Sequence, residues 1–396
     1  MKETVLGNPC EKHSDIPQFV GEKVKLGDLI SKAKVERCGD RFFPVYSMTM
    51  HDGIVEQSGR FKKAVASKDT SSYKVVKKNQ LVVGFPIDEG VIYVQNHERA
   101  GIMSPAYNVW DFDSSRIAPA YLELALHSPQ SMAYYAEKLR GTTARRRSLT
   151  ADGLRALPIV LPSIERQSAV VEVLKGIKGQ IADARKTADE LDHLVKSRFV
   201  EMFGDLEPVF AIEDVCDVLS GFAFKSTHYV DEGIRIIRIA NVQKGFIEDK
   251  TPCYYPITDQ AAASTFALRK DDLLVSLTGN VGRVGVMTSD LLPAALNQRV
   301  ACLRPNRDNT INMRYLFALL NLDEFEKAAI ESSSGSAQKN LSVKWLKSHR
   351  IAVPPIALQQ EFADFAARVD KLRFATQQQI DKLETLKKSL MQEYFG

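Results

Sequence analysis

A chain of 396 residues, 26% charged and 44% hydrophobic, has the balance of a globular protein of two or three domains, which excludes disordered and fibrous classes. Its formal net charge of +4 permits nucleic-acid binding through local basic patches without demanding it. Five scattered cysteines with no C-x-x-C pair argue against a disulfide framework or a zinc site, and neither a signal-peptide pattern nor a twenty-residue apolar run is found, so a cytoplasmic location off the membrane is expected.

Taken in order, residues 24–30 open a first stretch of short apolar or alternating runs punctuated by Gly, Pro and Asp. Strands are expected at 42–48, 73–76, 81–85 and 90–95, and helices at 119–127 and 130–139. Basic residues gather at Arg60, Lys62 and Lys63, and again in Gly141-Thr-Thr-Ala-Arg145-Arg146-Arg147-Ser148. Glycine, small hydroxyl residues and cations in one loop can offer both N–H groups and charge to a phosphate.

Residues 149–204 then return as 341–396: at an offset of 192 residues, 14 of the 56 positions are identical without a gap. Unrelated segments of ordinary composition would share roughly 3 or 4, so the repeat is real. In each copy a short strand-like run meets prolines and leads into about forty residues rich in Ala, Gln, Glu, Lys and Leu. Ile177, Ile181, Ala184, Ala188, Leu191, Val195 and Met202 step by four and three, a heptad seam in which Arg198 is the one polar member. The second copy keeps Val369, Ile380, Leu383, Leu390 and Tyr394 on the seam, with Arg373, Thr376 and Lys387 interrupting it and Leu372 and Leu386 flanking it. Two such helices, each about 60 Å long, are expected to pack on each other as a spacer. Two ordinary amphipathic helices in two separate cores are the plainer alternative.

Residues 211–218 open the second globular stretch as 24–30 open the first, and strands are expected at 234–239, 273–277, 284–287 and 300–303, with helices at 313–322 and 324–331. Lys77–Val83 lies over Arg269–Val275 at the same offset, so one module has been duplicated and has diverged in its loops. Lys225, Arg235, Arg238, Lys244, Arg283 and Lys339 are the phosphate-contact candidates in this half; Asn241, Asn280 and Gln298 are candidates for reading base edges. An edge strand with charge on its wet face is the competing reading of Arg235-Ile-Ile-Arg238-Ile-Ala-Asn241.

Catalytic patterns do not hold. Gly279-Asn-Val-Gly282-Arg-Val-Gly285 lacks dinucleotide-loop spacing and reads as a turn, and Gly221-Phe-Ala-Phe-Lys225-Ser226 lacks the second glycine of a phosphate loop. Ser104-Pro-Ala-Tyr107 is one proline short of the motif that holds a flipped base in amino-methyltransferases, and Glu248-Asp-Lys250 is too short a pattern to signify a nuclease. No enzyme is expected in this chain.

Two diverged α+β modules alternating with two repeated helices resemble the specificity subunit of type I restriction-modification systems, over nearly the whole chain from about Val24. The matching stretches are Pro158-Ile-Val-Leu-Pro162-Ser-Ile-Glu-Arg-Gln167 and Val353-Pro354-Pro355-Ile-Ala-Leu-Gln359-Gln360, with Gly221–Ser226, Arg235–Asn241, Lys270–Val275, Gly279–Gly285 and Asn297-Gln298 in the second module. Ser104–Tyr107 stands in the first module where the second has Asn297-Gln298, which suggests two different half-sites. The resemblance implies target-recognition domains at 1–157 and 205–350, and spacer helices at 158–204 and 351–396 paired as an antiparallel coiled coil. It implies that double-stranded DNA is read in two parts about one helical turn, roughly 34 Å, apart. Two methyltransferase subunits carrying S-adenosylmethionine would dock on the helices, this chain would hold no cofactor, and whether translocating restriction subunits join is left open. A coiled-coil scaffold for proteins is the rival from another class, and a catalytic methyltransferase a weaker one.

Overall fold

The offset of 192 reappears in the computed structural model, which describes residues 21–50, 52–57, 69–139, 149–256, 264–307, 310–333 and 339–396. By its contacts the chain forms two units, residues 1–184 with 379–396, and residues 185–378. Strands and helices are numbered in chain order.

The strands of unit 1 are β1 (Glu22–Lys25), β2 (Ile30–Lys32), β3 (Tyr46–Thr49), β4 (Gly53–Glu56) and β5 (Lys74–Val76). They continue as β6 (Gln80–Val83), β7 (Ile92–Val94), β8 (Gly101–Met103), β9 (Asn108–Phe112) and β10 (Pro158–Leu161). Helices α1 (Pro119–Leu126), α2 (Pro129–Lys138) and α3 (Ala151–Arg155) precede the long α4 (Ile164–Phe203). The central sheet has the order β2-β9-β6-β7, all antiparallel. Every residue of β6 is buried, because the sheet is covered on both faces. Leu81 and Val83 share a core with Tyr121 and Leu122 of α1, while Val82 packs with Tyr46 and Tyr93. Each such side chain removed from water contributes roughly 1.5–3 kcal/mol.

Unit 2 repeats this frame with β12 (Cys216–Ser220), β15 (Leu273–Ser276), β16 (Val284–Val286) and β18 (Val300–Pro305) in the order β12-β18-β15-β16. Between them lie β13 (Ile234–Ile237), β14 (Tyr254–Tyr255) and β17 (Ala294–Leu296), a second sheet. A short pair, β11 (Phe210–Ala211) with β19 (Arg350–Ile351), matches the pairing of β1 with β10. The helices are α5 (Ile212–Val215), α6 (Met313–Leu320), α7 (Asp323–Ser332), α8 (Val343–Ser348) and the long α9 (Ile356–Phe395). The turn into β6 and its partner into β15 each hold one non-glycine residue in the left-handed region, Asn79 (φ 61°) and Asp271 (φ 68°), the residue types that tolerate it best.

The repeated sequence makes the same joint twice. Thr150 and Ser342 cap α3 and α8 through their side-chain oxygens. Gln167 is wholly buried; its amide donates to the carbonyls of Pro162 (2.9 Å) and Arg116 (2.8 Å) and its oxygen accepts from the Ala118 N–H (2.8 Å). Gln359 does likewise with Pro354 (2.7 Å), Thr310 (3.4 Å) and the Asn312 N–H (2.8 Å). Tyr121 donates to the Val160 carbonyl and Tyr315 to that of Ala352. These bonds fasten the start of each long helix to the helix that covers its sheet.

Both long helices run 40 residues. Along α4 the seam from Ile177 to Met202 is buried or half-buried, and along α9 Val369, Ile380 and Leu390 are buried while Leu372 and Leu386 are exposed. Within unit 1, Ile177, Ile181 and Ala184 of α4 share a core with Ile380, Leu390 and Met391 of α9. Within unit 2, Asp192 meets Arg373 (3.0 Å) and Arg198 meets Glu361 (3.3 Å). Partner numbers fall as α4 numbers rise, so the helices pair antiparallel, and the fold is α+β with the expected coiled coil.

Pro158–Leu161 and Arg350–Ile351 are strands, so the helices begin only at Ile164 and Ile356. The strand expected from residue 42 starts at Tyr46, and Phe42 stands in a loop, fully exposed. Among the described residues no helix is long and apolar enough to cross a membrane.

Replacing Gln167 or Gln359 with alanine should strand one buried N–H and two carbonyls and cost about 2–4 kcal/mol, read by urea denaturation and by faster amide exchange at Ala118 or Asn312. A loss below about 0.5 kcal/mol, the size of an ordinary surface change, would show that the glutamines are not the fastening.

Candidate nucleic-acid interface

In unit 2 four loop segments are stitched into one edge by backbone hydrogen bonds. The Leu277 N–H donates to the Arg299 carbonyl (3.0 Å), Leu341 to Leu277 (2.7 Å), Gly279 to Lys339 (3.1 Å), and Gln298 to Phe222 (2.9 Å). The approach between residues 221 and 297 requires glycine, since a Cβ on Gly221 would sit 2.3 Å from the Asn297 carbonyl oxygen. Gly279 (φ 74°) and Gly282 (φ 78°) shape the turn from β15 into β16, which is the structure of the glycine-rich stretch. These segments expose Lys225, Asn280, Gln298, Arg299 and Lys339, and with them the ring of Phe222, which is 39% exposed. Phe222 is itself backed by Phe224 and Phe266 at 5.1 and 5.4 Å.

The edge is electrostatically open. Among the described residues none forms an ion pair or hydrogen bond with the side chain of Lys225, Arg299 or Lys339; the Arg299 backbone N–H alone donates to the Asn297 side chain (3.3 Å). A cation with no carboxylate partner keeps its full charge for a phosphate, and the exposed amides of Asn280 and Gln298 have both donors and acceptors to offer a base edge. Arg299 belongs to this group and was passed over in sequence because nothing in its local pattern separates it from an ordinary surface arginine.

Other expected contacts are spent inside the fold. Arg235 is paired with Asp249 at 2.6 Å, the carboxylate being 3% exposed, and lies over the Tyr254 ring. Arg238 donates to the Thr251 carbonyl. Asn241 is 3% exposed, with its amide donating to the Glu248 carbonyl and Asp249 and its oxygen accepting from the Arg238 N–H. That leaves Asn241 nothing to offer a base, and the alternating run Arg235–Asn241 is a brace. Glu248 pairs with Lys250 at 3.0 Å, which accounts for the nuclease-like triplet. Lys244 is clamped by Asp323 (2.7 Å) and Glu326 (2.9 Å); those bonds raise its pKa and the same ammonium lowers that of Asp323. Arg283 donates to the Gln243 side chain at 2.7 Å.

In unit 1, Arg60, Lys62, Lys63, Arg145, Arg146 and Arg147 lie outside the described residues. Ser104–Tyr107 forms a turn between β8 and β9, the position held by residues 297–299 between β17 and β18. Beside it Lys74 donates to the Tyr107 carbonyl at 2.5 Å. Burial, and after it the charges of Lys32 and Arg37, lower the pKa of Lys74. Lys32 and Arg37 come from one segment and Lys74 from another. None has an ion pair among the described residues. Among those residues no group of three His, Cys, Asp or Glu could hold a metal ion.

Known proteins share this architecture. Residues 205–385 match the family described as the type I restriction modification DNA specificity domain. The type I restriction enzyme MjaVIII specificity subunit of Methanocaldococcus jannaschii is 23% identical over 257 residues, 59% of this chain and 60% of that protein. The EcoBI specificity subunit of Escherichia coli is 28% identical over 174 residues, 42% of this chain and 34% of that one. The chain thus spans 60% or less of these curated relatives. A structure solved in work on complex assembly and conformational transition of the type I R-M system aligns over 95% of this chain and 97% of its own, with a TM-score of 0.59 at 18% identity. The S subunit of the type I restriction-modification system from M. genitalium aligns over 96% and 97%, with a TM-score of 0.53 at 16% identity. At these identities the structures establish the shared fold.

Replacing Lys225, Arg299 or Lys339 with alanine should weaken duplex binding at all sequences and lower the log–log salt slope by about 0.9 per lost phosphate contact. Lys244→Ala should leave the slope unchanged. Titrations over a salt series decide it, and the reverse pattern would place the interface elsewhere.

Proposed function

We propose that the chain, whose residues 205–385 match the type I restriction modification DNA specificity domain, is a specificity subunit of such a system and that each globular unit reads one part of a two-part DNA target. The observation that carries this reading is the repetition of one frame with different side chains at its edge. Between β8 and β9 unit 1 presents Ser104–Tyr107 beside Lys74, whereas between β17 and β18 unit 2 presents Gln298 and Arg299, with Asn280 in the turn from β15 to β16. Equivalent frames with unlike edges suit two different half-sites.

The paired long helices set the gap between the half-sites. Their near-twofold repeat presents equivalent docking surfaces to two identical methyltransferase subunits. Those partners, not this chain, supply S-adenosylmethionine and the chemistry on an adenine flipped from its stack. This chain is a non-catalytic targeting subunit acting on DNA in the cytoplasm, and a translocating restriction subunit joins where the system cuts as well as methylates. A protein-binding scaffold is not favoured, since unpaired cations around exposed amides suit a polyanion with readable edges better than a peptide.

Removing seven residues from α4 within residues 176–196, with the facing seven of α9, shortens the bundle by about 10 Å and keeps the seam in phase. Adenine methylation mapped in a methylation-free host expressing the shortened chain with its methyltransferase should show a narrower gap, by about three base pairs, and unchanged half-sites. Altered half-sites with an unchanged gap would refute the ruler.

A further inference from the structure

Phe42 is 100% exposed, yet the loop that carries it is tightly braced. The Arg41 guanidinium pairs with Glu36 (2.7 Å), donates to the carbonyls of Arg37 (2.7 Å) and Cys38 (3.3 Å), and lies over the Phe43 ring. The Cys38 and Gly39 N–H groups donate to Tyr73 and Ser71, and Gly39 takes φ 57° to close the bend. Phe43 turns inward against Cys38, Val75 and Ile102. The construction therefore seats one aromatic ring and presents its neighbour to solvent.

A single exposed apolar side chain carries little meaning on its own. What distinguishes Phe42 is the charge carried by its own loop and the strand bridged to it. Arg37 sits on the same loop and is bridged to Lys74, whose pKa is lowered partly by Lys32 and Arg37. These three cations have no ion pair among the described residues. Phe246, also exposed, stands two residues from a lysine clamped by two carboxylates and lacks such a setting. Lys74 spends a donor on the Tyr107 carbonyl, whereas Lys32 and Arg37 are exposed. An apolar ring on a braced loop with such cations matches the chemistry of nucleic-acid wedges, in which the ring enters an unstacked base step while cations hold the flanking phosphates.

We propose that Phe42 is a stacking wedge: it inserts at one base step of the half-site read by unit 1, with Lys32 and Arg37 on the adjacent phosphates. This rests on the DNA-reading function above and adds to it a specificity that comes from how easily a step unstacks. Such a contact favours flexible pyrimidine–purine steps at a position where no base edge is read.

The test uses the full chain with its methyltransferase partner and duplexes carrying the mapped target. 2-Aminopurine is placed in turn at each half-site position other than the methylated adenine. The wild-type complex should raise fluorescence at one step of one half-site. Phe42→Ala should abolish that rise and weaken binding about tenfold with the salt slope unchanged, and Phe42→Trp should keep both. Binding within about twofold of wild type and an unaltered fluorescence rise in Phe42→Ala would overturn the wedge. Loss of the methyltransferase from Phe42→Ala on gel filtration, with DNA affinity intact, would overturn it by assigning the ring to a protein contact. Wild-type protein without salt-dependent affinity for any duplex would overturn the DNA-reading function itself, an outcome separable from the wedge because it needs no variant.

Discussion

A 40-residue helix with a narrow apolar stripe must cover that stripe along its whole length, and only a partner of equal length does so. The antiparallel pairing of α4 with α9 meets this requirement and settles much else. In unit 2 the last turn of α4 brings Phe203 onto Tyr315 (4.9 Å) and Phe362 (5.8 Å), with Phe199 completing a four-ring cluster. In unit 1 the last turn of α9 brings Phe395 onto Tyr121 at 5.2 Å. Each helix therefore starts in one core and ends in the other, and each unit contains a portion of both.

That sharing explains the buried part of what the repeat preserved; Asp189, Leu194, Lys196 and Ser197, also kept, are exposed along the helix. Gln167 and Gln359, Phe203 and Phe395, and the prolines before each helix all sit at joints where helix meets module. A buried glutamine with three bonds cannot be exchanged cheaply, because any replacement leaves backbone groups unpaired. The loops at the ends of β15 and β18 carry no such burden. Their backbone bonds hold the edge in shape whatever side chains project from it, so the edge was free to diverge while the frame stayed the same.

Legibility in the sequence follows the same division. The long helices and their seam were readable because heptad spacing reports burial directly, and the duplication was readable because the joints resist change. Short strands such as β4, β8 and β17 were not, since three or four residues give too brief an alternation to register. At the candidate interface the residue types were visible but their allegiance was not. Asp249 is close to Arg235 in sequence, yet nothing in the spelling says that it would be 3% exposed and neutralise Arg235 and orient Asn241 together. Asp323 and Glu326, which claim Lys244, lie some eighty residues away. Lys74 joins Lys32 and Arg37 only through the bridge between Arg37 and Lys74, which no basic run in the sequence announces.

The central claim is that one chain holds two readers of one divided target. Its most direct measurement is a genome-wide map of methylated adenines in a methylation-free host expressing the unaltered chain with the proposed methyltransferase partner. The account predicts a single motif of two unlike parts separated by a fixed number of unread bases. A stable, active complex that methylated a continuous motif, or none, would contradict it.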